Sequence, residues 1–294
     1  MACALTALGA ACEPAPAALD EGAYRREVEA WRGERLQELT GDAGWLTLSG
    51  LHWLKEGESR VGSGQSNEIV LQRADAPAYV GSLFVEGKTV RFEAAEGAGV
   101  TTKGEPVAKL ELKTDAGGAP TVLELGSLTF QLIERGGQIG FRVRDREHPA
   151  RAQFKGLETY PLSLGWRVAA RFEPYEPPKT VPILNVLGMT QDQPSPGALV
   201  FEAEGRTHRL DALTEGDKLF VIFADETSGK ETYGGGRYLY APKPDAQGRV
   251  VLDFNKAHSP PCAFTDFATC PLPPPQNRLA VKVEAGEKHA GALH

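Results

Sequence analysis

Short apolar runs separated by turn residues restrict most strongly what this chain can fold into. From Trp45 onward, runs of strand length alternate apolar and polar residues, and turn signals such as Glu86-Gly87 and Gly136-Gly137 fall between them. A spacing of about ten residues between turns is typical of a sandwich or a barrel. The sequence therefore predicts a mainly β fold made of two β-sandwich or barrel-like units.

Residues 24–39 depart from this pattern, because their apolar positions follow helical spacing. Asp20 is suited to cap such a helix, and Gly41 follows its end. The apolar residues expected on one face are Tyr24, Val28, Trp31, Leu36 and Leu39. We predict one N-terminal amphipathic helix that packs against a sheet.

Turn and proline signals divide the chain into four predicted segments. They are residues 1–20, a signal-like, lipoprotein-like or disordered stretch; 21–172, the helix with an N-terminal β-unit; 173–182, a Pro-rich connector; and 183–294, a C-terminal β-unit with a Cys/Pro-rich loop. The connector is expected to be rigid because proline fixes φ. The last predicted strand covers residues 279–283.

The charge balance excludes two classes of partner. The formal net charge is −7, and no block of Lys and Arg occurs. Nucleic acids and anionic membrane surfaces would select clustered basic residues. No apolar run has the length that a transmembrane helix needs. A small-molecule ligand is compatible with this charge balance.

The first residues resemble the end of a bacterial lipoprotein signal. The apolar segment Ala4-Leu-Thr-Ala-Leu8 is followed by Gly9-Ala-Ala-Cys12, with Cys12 as the candidate for lipidation. A basic stretch before the apolar segment is missing, and the segment is short. We predict an exported or cell-envelope protein that is peripherally anchored through Cys12. A cytoplasmic protein with an unstructured start is the alternative.

The remaining cysteines point to a disulfide. Once Cys3 and Cys12 are set aside, Cys262 and Cys270 form an even pair, as expected in an oxidising compartment. A disulfide across so short a loop would contribute about 2–3 kcal/mol. Free thiols and a zinc site that adds His258 are the alternatives, although the Cys spacing is not that of common zinc sites. No other cofactor or metal is predicted.

A first group of candidate ligand-binding residues is Asp225, Thr227, Tyr233 and Arg237. Asp225 and Thr227 follow the apolar run Phe220-Val-Ile-Phe223, and Arg237 follows three glycines at the start of another predicted strand. An Arg and an Asp at neighbouring strand ends can bind a carboxylate or phosphate. The alternative is an internal Arg–Asp ion pair.

A second group is Asp253, Asn255 and Asn277. Asp253 and Asn255 alternate with apolar neighbours and are expected on one face of a strand. Asn277 follows the Pro-rich loop. We predict that the three converge near Arg237 and Tyr233 as a polar pocket. The alternative is that they hydrogen-bond loop backbone.

Several motifs together resemble a family of bacterial and archaeal proteins, domain of unknown function 1684. They are Asp225-Glu-Thr-Ser-Gly-Lys-Glu-Thr-Tyr233-Gly-Gly-Gly-Arg237, Asp253-Phe-Asn255-Lys-Ala, Pro260-Pro-Cys262-Ala-Phe and Cys270-Pro-Leu-Pro-Pro-Pro-Gln-Asn277-Arg-Leu279. Trp45-Leu-Thr-Leu and Gly50-Leu-His-Trp53-Leu also resemble the beginning of that family. His258-Ser259 departs from its pattern. The family name carries no activity.

The N-terminal half also resembles, in outline, a forkhead-associated β-sandwich. The Arg that reads phosphothreonine and the Ser-x-x-His element of that fold have no counterparts here, so phosphopeptide binding is not inferred.

Two functions of different class follow from these patterns. The first is an uncharacterised exported protein that binds a small polar or anionic ligand at its C-terminal platform, with Arg237 and Asp225 at the centre. The alternative is a hydrolase-type enzyme that uses Asp253 and Tyr233 with a cysteine or a bound metal. The sequence leaves open whether the chain is an enzyme.

Overall fold

Strands dominate the backbone of residues 19–289, which are the residues described by the computed structural model. The two α-helices in this range are α1 (Glu21–Thr40) and α2 (Pro149–Gln153). The strands are β1 (Leu48–Trp53), β2 (Gly57–Gly62), β3 (Ile69–Val70), β4 (Gly81–Glu86), β5 (Thr89–Ala94), β6 (Thr101–Thr102), β7 (Glu105–Pro106), β8 (Lys109–Leu112), β9 (Val122–Leu125), β10 (Leu128–Arg135), β11 (Gln138–Asp145), β12 (Arg167–Leu184), β13 (Thr190–Ala203), β14 (Arg206–Glu215), β15 (Lys218–Phe223), β16 (Arg237–Pro242) and β17 (Arg249–Asp253). The predicted mainly β fold with an N-terminal helix is confirmed.

Helix α1 begins and ends close to the predicted positions. The Asp20 carboxylate accepts a hydrogen bond from the Ala23 N–H, which satisfies a backbone donor of the first turn. The Gly41 N–H donates to the Gln37 carbonyl at the other end. The buried face differs from the predicted one, because Leu36 is 40% exposed and Arg35 is 3% exposed. Neither α-helix in residues 19–289 combines the length and the hydrophobicity needed to cross a bilayer.

Two sheets of the N-terminal half enclose one core. The first sheet has the order β3-β2-β4-β5-β8, and the second sheet has the order β1-β11-β10-β9-β6-β7. Leu83 and Phe92 of the first sheet share a buried cluster with Phe130 and Phe141 of the second. Phe130 and Phe141 stack with ring centroids 5.3 Å apart. Side chains alternate along each strand, so the opposite face of the second sheet is left for another contact.

The C-terminal half is built on a barrel sheet with the order β16-β15-β14-β13-β12-β17. Its edge strands β16 and β17 lie beside each other, so the sheet is nearly closed. Leu199, Val221, Leu239 and Leu252 lie in the core that this sheet surrounds. Aromatic side chains, including Phe254, complete that core. Closure leaves few unpaired strand edges.

Two predicted elements differ in the structure. Residues 173–182, the predicted connector, lie within β12, which pairs with β13 on both sides of an interruption between Pro174 and Lys179. Prolines in this stretch have no backbone N–H to donate to β13. Their presence accounts for the interruption in pairing, although the strand continues beyond it. Residues 279–283 form no strand, although the Leu279 N–H donates to the Ala224 carbonyl. The division into two β-units stays a prediction.

The barrel sheet and the second sheet meet through a second apolar cluster. Ile183, Phe220 and Ile222 on the outer face of the barrel sheet pack in this cluster with Leu48 of β1 and with the half-buried Trp45. The cluster also contains the two cysteines of the Cys/Pro-rich loop. The loop, the barrel sheet and the second sheet therefore share one packed region.

Candidate functional site

The predicted residues Asp225, Thr227 and Arg237 lie together in the interior. The Arg237 side chain is fully buried and donates from Nη2 to the Asp225 carboxylate over 3.2 Å. It also donates to the carbonyl oxygens of Val283 and Ala285, and the Thr227 hydroxyl donates to Asp225 over 2.9 Å. Burial lowers the pKa of Arg237, and the charge of Asp225 opposes that effect. The arrangement is the internal ion pair that the sequence left as the alternative.

Asp253 and Asn255 contact helix α1 instead of Arg237. The Tyr24 hydroxyl donates to the Asp253 carboxylate over 2.7 Å, and the Asn255 side-chain amide donates to the Tyr24 oxygen over 2.9 Å. Asn255 also receives a hydrogen bond from the Ser163 N–H. Burial, followed by the hydrogen bond to Asp253, raises the pKa of Tyr24.

Asn277 is buried between two strands of the barrel sheet. Its side-chain oxygen accepts from the Asp211 N–H over 2.8 Å, and its amide donates to the carbonyls of Asp211 and Ile222. Among the described residues, no side-chain hydrogen bond joins Asn277 to Asp253, Asn255 or Arg237. These polar side chains are not gathered into one pocket, because Tyr24 pairs with Asp253 and Asn255 while backbone groups of β14 and β15 pair with Asn277.

Tyr233 and His258 occupy separate aromatic surroundings. Tyr233 is half-buried, its ring lies 5.3 Å from that of His289, and burial raises its pKa. His258 is buried against Trp31 and Tyr240. Burial, together with the charge of Arg35, lowers the pKa of His258 to about 3, so its imidazole is neutral at pH 7. In the range 19–289, no three His, Cys, Asp or Glu side chains are grouped so that they could hold a metal ion.

Cys262 and Cys270 form a disulfide with Cα atoms 6.1 Å apart. The loop that it closes is attached to the barrel sheet near the end of β12. The Val186 N–H donates to the Cys270 carbonyl, and the Tyr238 hydroxyl donates to the Pro271 carbonyl over 2.9 Å. Both the covalent bond and these hydrogen bonds fix the loop in place. Cys12 and nearly all of the signal-like segment 1–20 lie outside the described residues.

A cleft of about 280 Å³ lies between this loop, the barrel sheet and the second sheet. The residues that line its apolar part are Ile183, Leu213, Phe220 and Ile222. The disulfide loop contributes Thr269 and Pro271, and the second sheet contributes Arg135 at the end of β10. The volume is close to the lower limit for small-molecule sites. The cleft can therefore hold a small ligand with an apolar part.

Arg142 of the second sheet is unusual, although it is not among the residues that line the cleft. Its side chain is 4% exposed, and the buried Nε has no hydrogen-bond partner. Within the described part of the chain, no carboxylate forms a salt bridge with it; its guanidinium carbon lies 6.0 Å from the Trp45 ring centroid. Burial, followed by the charges of Arg144 and Arg135, lowers the pKa of Arg142 to about 10, while Asp115 raises it. Arg142 therefore remains a buried cation at neutral pH.

The neighbouring arginines differ from Arg142 because they have partners. Arg135 makes two hydrogen bonds to the Asp115 carboxylate, over 2.9 and 2.8 Å. Arg144 donates to the carbonyls of Ala43 and Gly44 over 2.9 and 2.8 Å. Asp115 interacts electrostatically with both Arg135 and Arg142, so this carboxylate faces two cations.

The strand register explains why these arginines lie on one side of the second sheet. Gln138 pairs with Arg135, and Arg142 is four residues further along β11. Side chains two or four residues apart share a face, so Arg135 and Arg142 point to the same side. That side is opposite to Phe141 and Val143, which belong to the N-terminal core. Sequence analysis missed Arg142, because Phe-Arg-Val-Arg in a strand normally indicates a solvent-exposed polar face.

Comparison with known proteins identifies the family. A family model described as "Protein of unknown function (DUF1684)" matches residues 152–288. An uncharacterized protein of Haloarcula marismortui, whose structure was solved by solution NMR, is 34% identical and matches 47% of this chain and 78% of its own, with a TM-score of 0.40. The chain belongs to the DUF1684 family. No protein in the curated set matches it.

The matched part of this DUF1684 protein contains only one side of the cleft. Residues 152–288 include the barrel sheet and the disulfide loop, with Thr269 and Pro271. Arg135, Arg142 and Arg144 precede residue 152 and belong to the second sheet. The residues matched by the family model therefore form the barrel-sheet side of this packed region, whereas the three arginines belong to the second sheet.

Proposed function

We propose that this DUF1684 protein binds a small anion at Arg142 of the second sheet. The observation that carries the proposal is the buried guanidinium of Arg142, which lacks both a salt bridge and a hydrogen bond from Nε. A buried charge without a partner is costly, and a bound anion would supply the opposite charge and the missing acceptors. Arg237 also has a buried Nε without a hydrogen-bond partner, but it differs from Arg142 because Asp225 neutralises its charge.

The position of the cleft supports the same proposal. Ligand sites occur preferentially between packed units, where concave surfaces form. The cleft lies where the barrel sheet, the second sheet and the disulfide loop meet, and Arg135 at its edge interacts electrostatically with Arg142. The barrel sheet and the disulfide loop contribute the apolar lining, and Arg135 of the second sheet contributes a positive charge at the edge of the cleft.

The test replaces Arg142 with methionine and measures thermal unfolding in the presence of sodium acetate at constant ionic strength. Without acetate, Arg142→Met should melt at the same temperature as the native chain or above it, because an unpaired buried charge is removed. Saturating acetate should stabilise the native chain, by about 2.7 kcal/mol at a hundred times Kd, and leave the variant unchanged.

A matched control is Arg91→Met, which removes the same charge from a partly exposed position on β5. This variant should keep the full acetate response. Equal stabilisation of the native chain and Arg142→Met by acetate would contradict the proposal, since the anion would then act elsewhere or through the solvent.

The hydrolase alternative has less support. It places Asp253 and Tyr233 at one reaction centre, but Asp253 accepts a hydrogen bond from Tyr24 while Tyr233 lies against His289. The sulfur atoms of Cys262 and Cys270 are bonded to each other, so neither is a thiol nucleophile.

We also propose that the protein is exported and anchored through Cys12. The Cys262–Cys270 disulfide supports export, because structural disulfides persist mainly in oxidising compartments. Expressed in a bacterium, the 294-residue chain should fractionate with the envelope, and Cys12→Ala should be released from it. Cys3→Ala is the matched control and should behave like the native chain. Recovery of both the native chain and Cys12→Ala from the cytoplasm would contradict export.

A further inference from the structure

We infer that the cleft beside the disulfide loop binds a small uncharged ligand that joins a short hydrocarbon chain to an amide group. This site is separate from the proposed anion site, because Arg142 does not line the cleft. The inference combines three observations on the lining: an apolar floor, a glutamine amide on that floor that has no partner among the described residues, and two charged groups of opposite sign that already have partners.

The floor of the cleft is the outer face of the barrel sheet. Val181 and Ile183 of β12 belong to the apolar cluster on that face, and Leu213 pairs with Phe220 between β14 and β15. Phe220 and Ile222 alternate along β15 and therefore share the face. All of these side chains except Val181 line the cleft. A hydrocarbon chain that covers them removes apolar surface from water, which favours its binding.

Gln193 of β13 places an amide on the same face. It pairs with Val181 in the ladder, and Gln191 pairs with Ile183. Residues directly opposite each other in an antiparallel ladder project to the same side of the sheet, so both glutamines share the face of the apolar cluster. Both also line the cleft. Gln193 is half-buried, and its side chain forms no hydrogen bond within residues 19–289.

The unpaired amide of Gln193 determines the polar group of the ligand. A glutamine side chain presents an acceptor oxygen beside a donor NH₂ group. A second amide presents the same two groups and can pair with both, whereas a carboxylate has only acceptors and an ammonium group has only donors. A hydroxyl group has one oxygen for both roles. An amide therefore leaves the fewest polar groups unpaired in the filled cleft.

The charged residues of the lining, Arg135 and Glu215, disfavour a charged ligand. Arg135 makes two hydrogen bonds to the Asp115 carboxylate, and Glu215 accepts a hydrogen bond from the Tyr240 hydroxyl. Because the two lining charges are opposite in sign, they give no net attraction that would offset the hydration lost by an entering ion. The other polar residues of the lining are neutral: Asn185, Gln191, Gln193, Thr214 and Thr269.

Isothermal titration calorimetry at pH 7 tests the inference with hexanamide, hexanoate, hexylammonium and hexanol, which share one chain length. Hexanamide should bind about tenfold more tightly than each of the other three, because each of them leaves a polar group of the site unpaired. Hexanamide should also bind more tightly than butanamide by up to about sixteenfold, since each fully buried CH₂ contributes up to about fourfold.

A variant of Gln193 places the amide in the cleft. Gln193→Met keeps a side chain of similar length without hydrogen-bonding groups, and it should weaken hexanamide binding about tenfold. The variant should unfold at the same urea concentration as the native chain, because no hydrogen bond within the described residues is lost. Gln37→Met, on the exposed side of α1, is the matched control and should bind hexanamide like the native chain.

Three results would overturn the inference: no binding of hexanamide to the native chain, equal binding of hexanamide and any of the other three six-carbon probes, or an unchanged hexanamide affinity in Gln193→Met. None of them bears on the anion site, since the acetate response of Arg142→Met is measured separately. The proposed function and this inference can therefore fail independently.

Discussion

Replacing Arg237 with methionine should lower the free energy of unfolding by about 3–5 kcal/mol, which is the usual cost of breaking a buried ion pair from one side. The change leaves the Asp225 carboxylate buried without its cation and removes donors from the carbonyls of Val283 and Ala285. Both side chains of the pair are 0% exposed, so water cannot replace the lost partner. Urea unfolding followed by tryptophan fluorescence measures the effect.

The double variant separates the ion pair from the packing around it. Asp225→Asn alone should also destabilise strongly, because Arg237 then keeps its charge without a counterion. The double variant Asp225→Asn, Arg237→Met should lower the free energy of unfolding by clearly less than the sum of the two single changes, since neither charge is left unpaired. A loss below about 1 kcal/mol for Arg237→Met would be typical of a surface pair and would contradict this interpretation.

The sequence predicted the regular elements well because their signals are local. The cap at Asp20 and the stop at Gly41 lie within a few residues of helix α1, and the structure has the helix at Glu21–Thr40. Strands β9 to β11 likewise follow alternating runs flanked by turn residues. The predicted disulfide depended only on an even pair of cysteines in one loop, and the structure contains it.

The candidate site could not be predicted in the same way, because its chemistry depends on distant partners. Arg142 resembles any strand arginine in the sequence, and only the folded structure shows that it is buried near Trp45 with no salt bridge to a described carboxylate. Asp225 and Arg237 lie together, but Val283, whose carbonyl accepts a hydrogen bond from Arg237, lies 46 residues further along the chain. Sequence spacing shows which polar residues are near one another and does not show which are already satisfied.

Arg35 of helix α1 shows the same dependence on a distant partner, and its replacement should be the second large effect. Arg35 donates to the Glu287 carboxylate over 3.0 Å and to the Ser259 carbonyl over 2.7 Å, and the Glu287 side chain is 1% exposed. Arg35→Met should lower the free energy of unfolding by about 3–5 kcal/mol, because it leaves the buried Glu287 without its cation. Denaturant titration of the native chain and the variant measures the difference.

A control on the same helix makes this test specific. Arg26 is exposed, so Arg26→Met changes the helix charge equally and should alter stability by no more than about 0.5 kcal/mol. If Arg35→Met and Arg26→Met are equally mild, Glu287 does not depend on the helix for its charge balance. A large loss for Arg35→Met alone would instead mean that α1 is held to the C-terminal half by an ion pair. The pair spans 252 residues of sequence, a separation that no local pattern in α1 encodes.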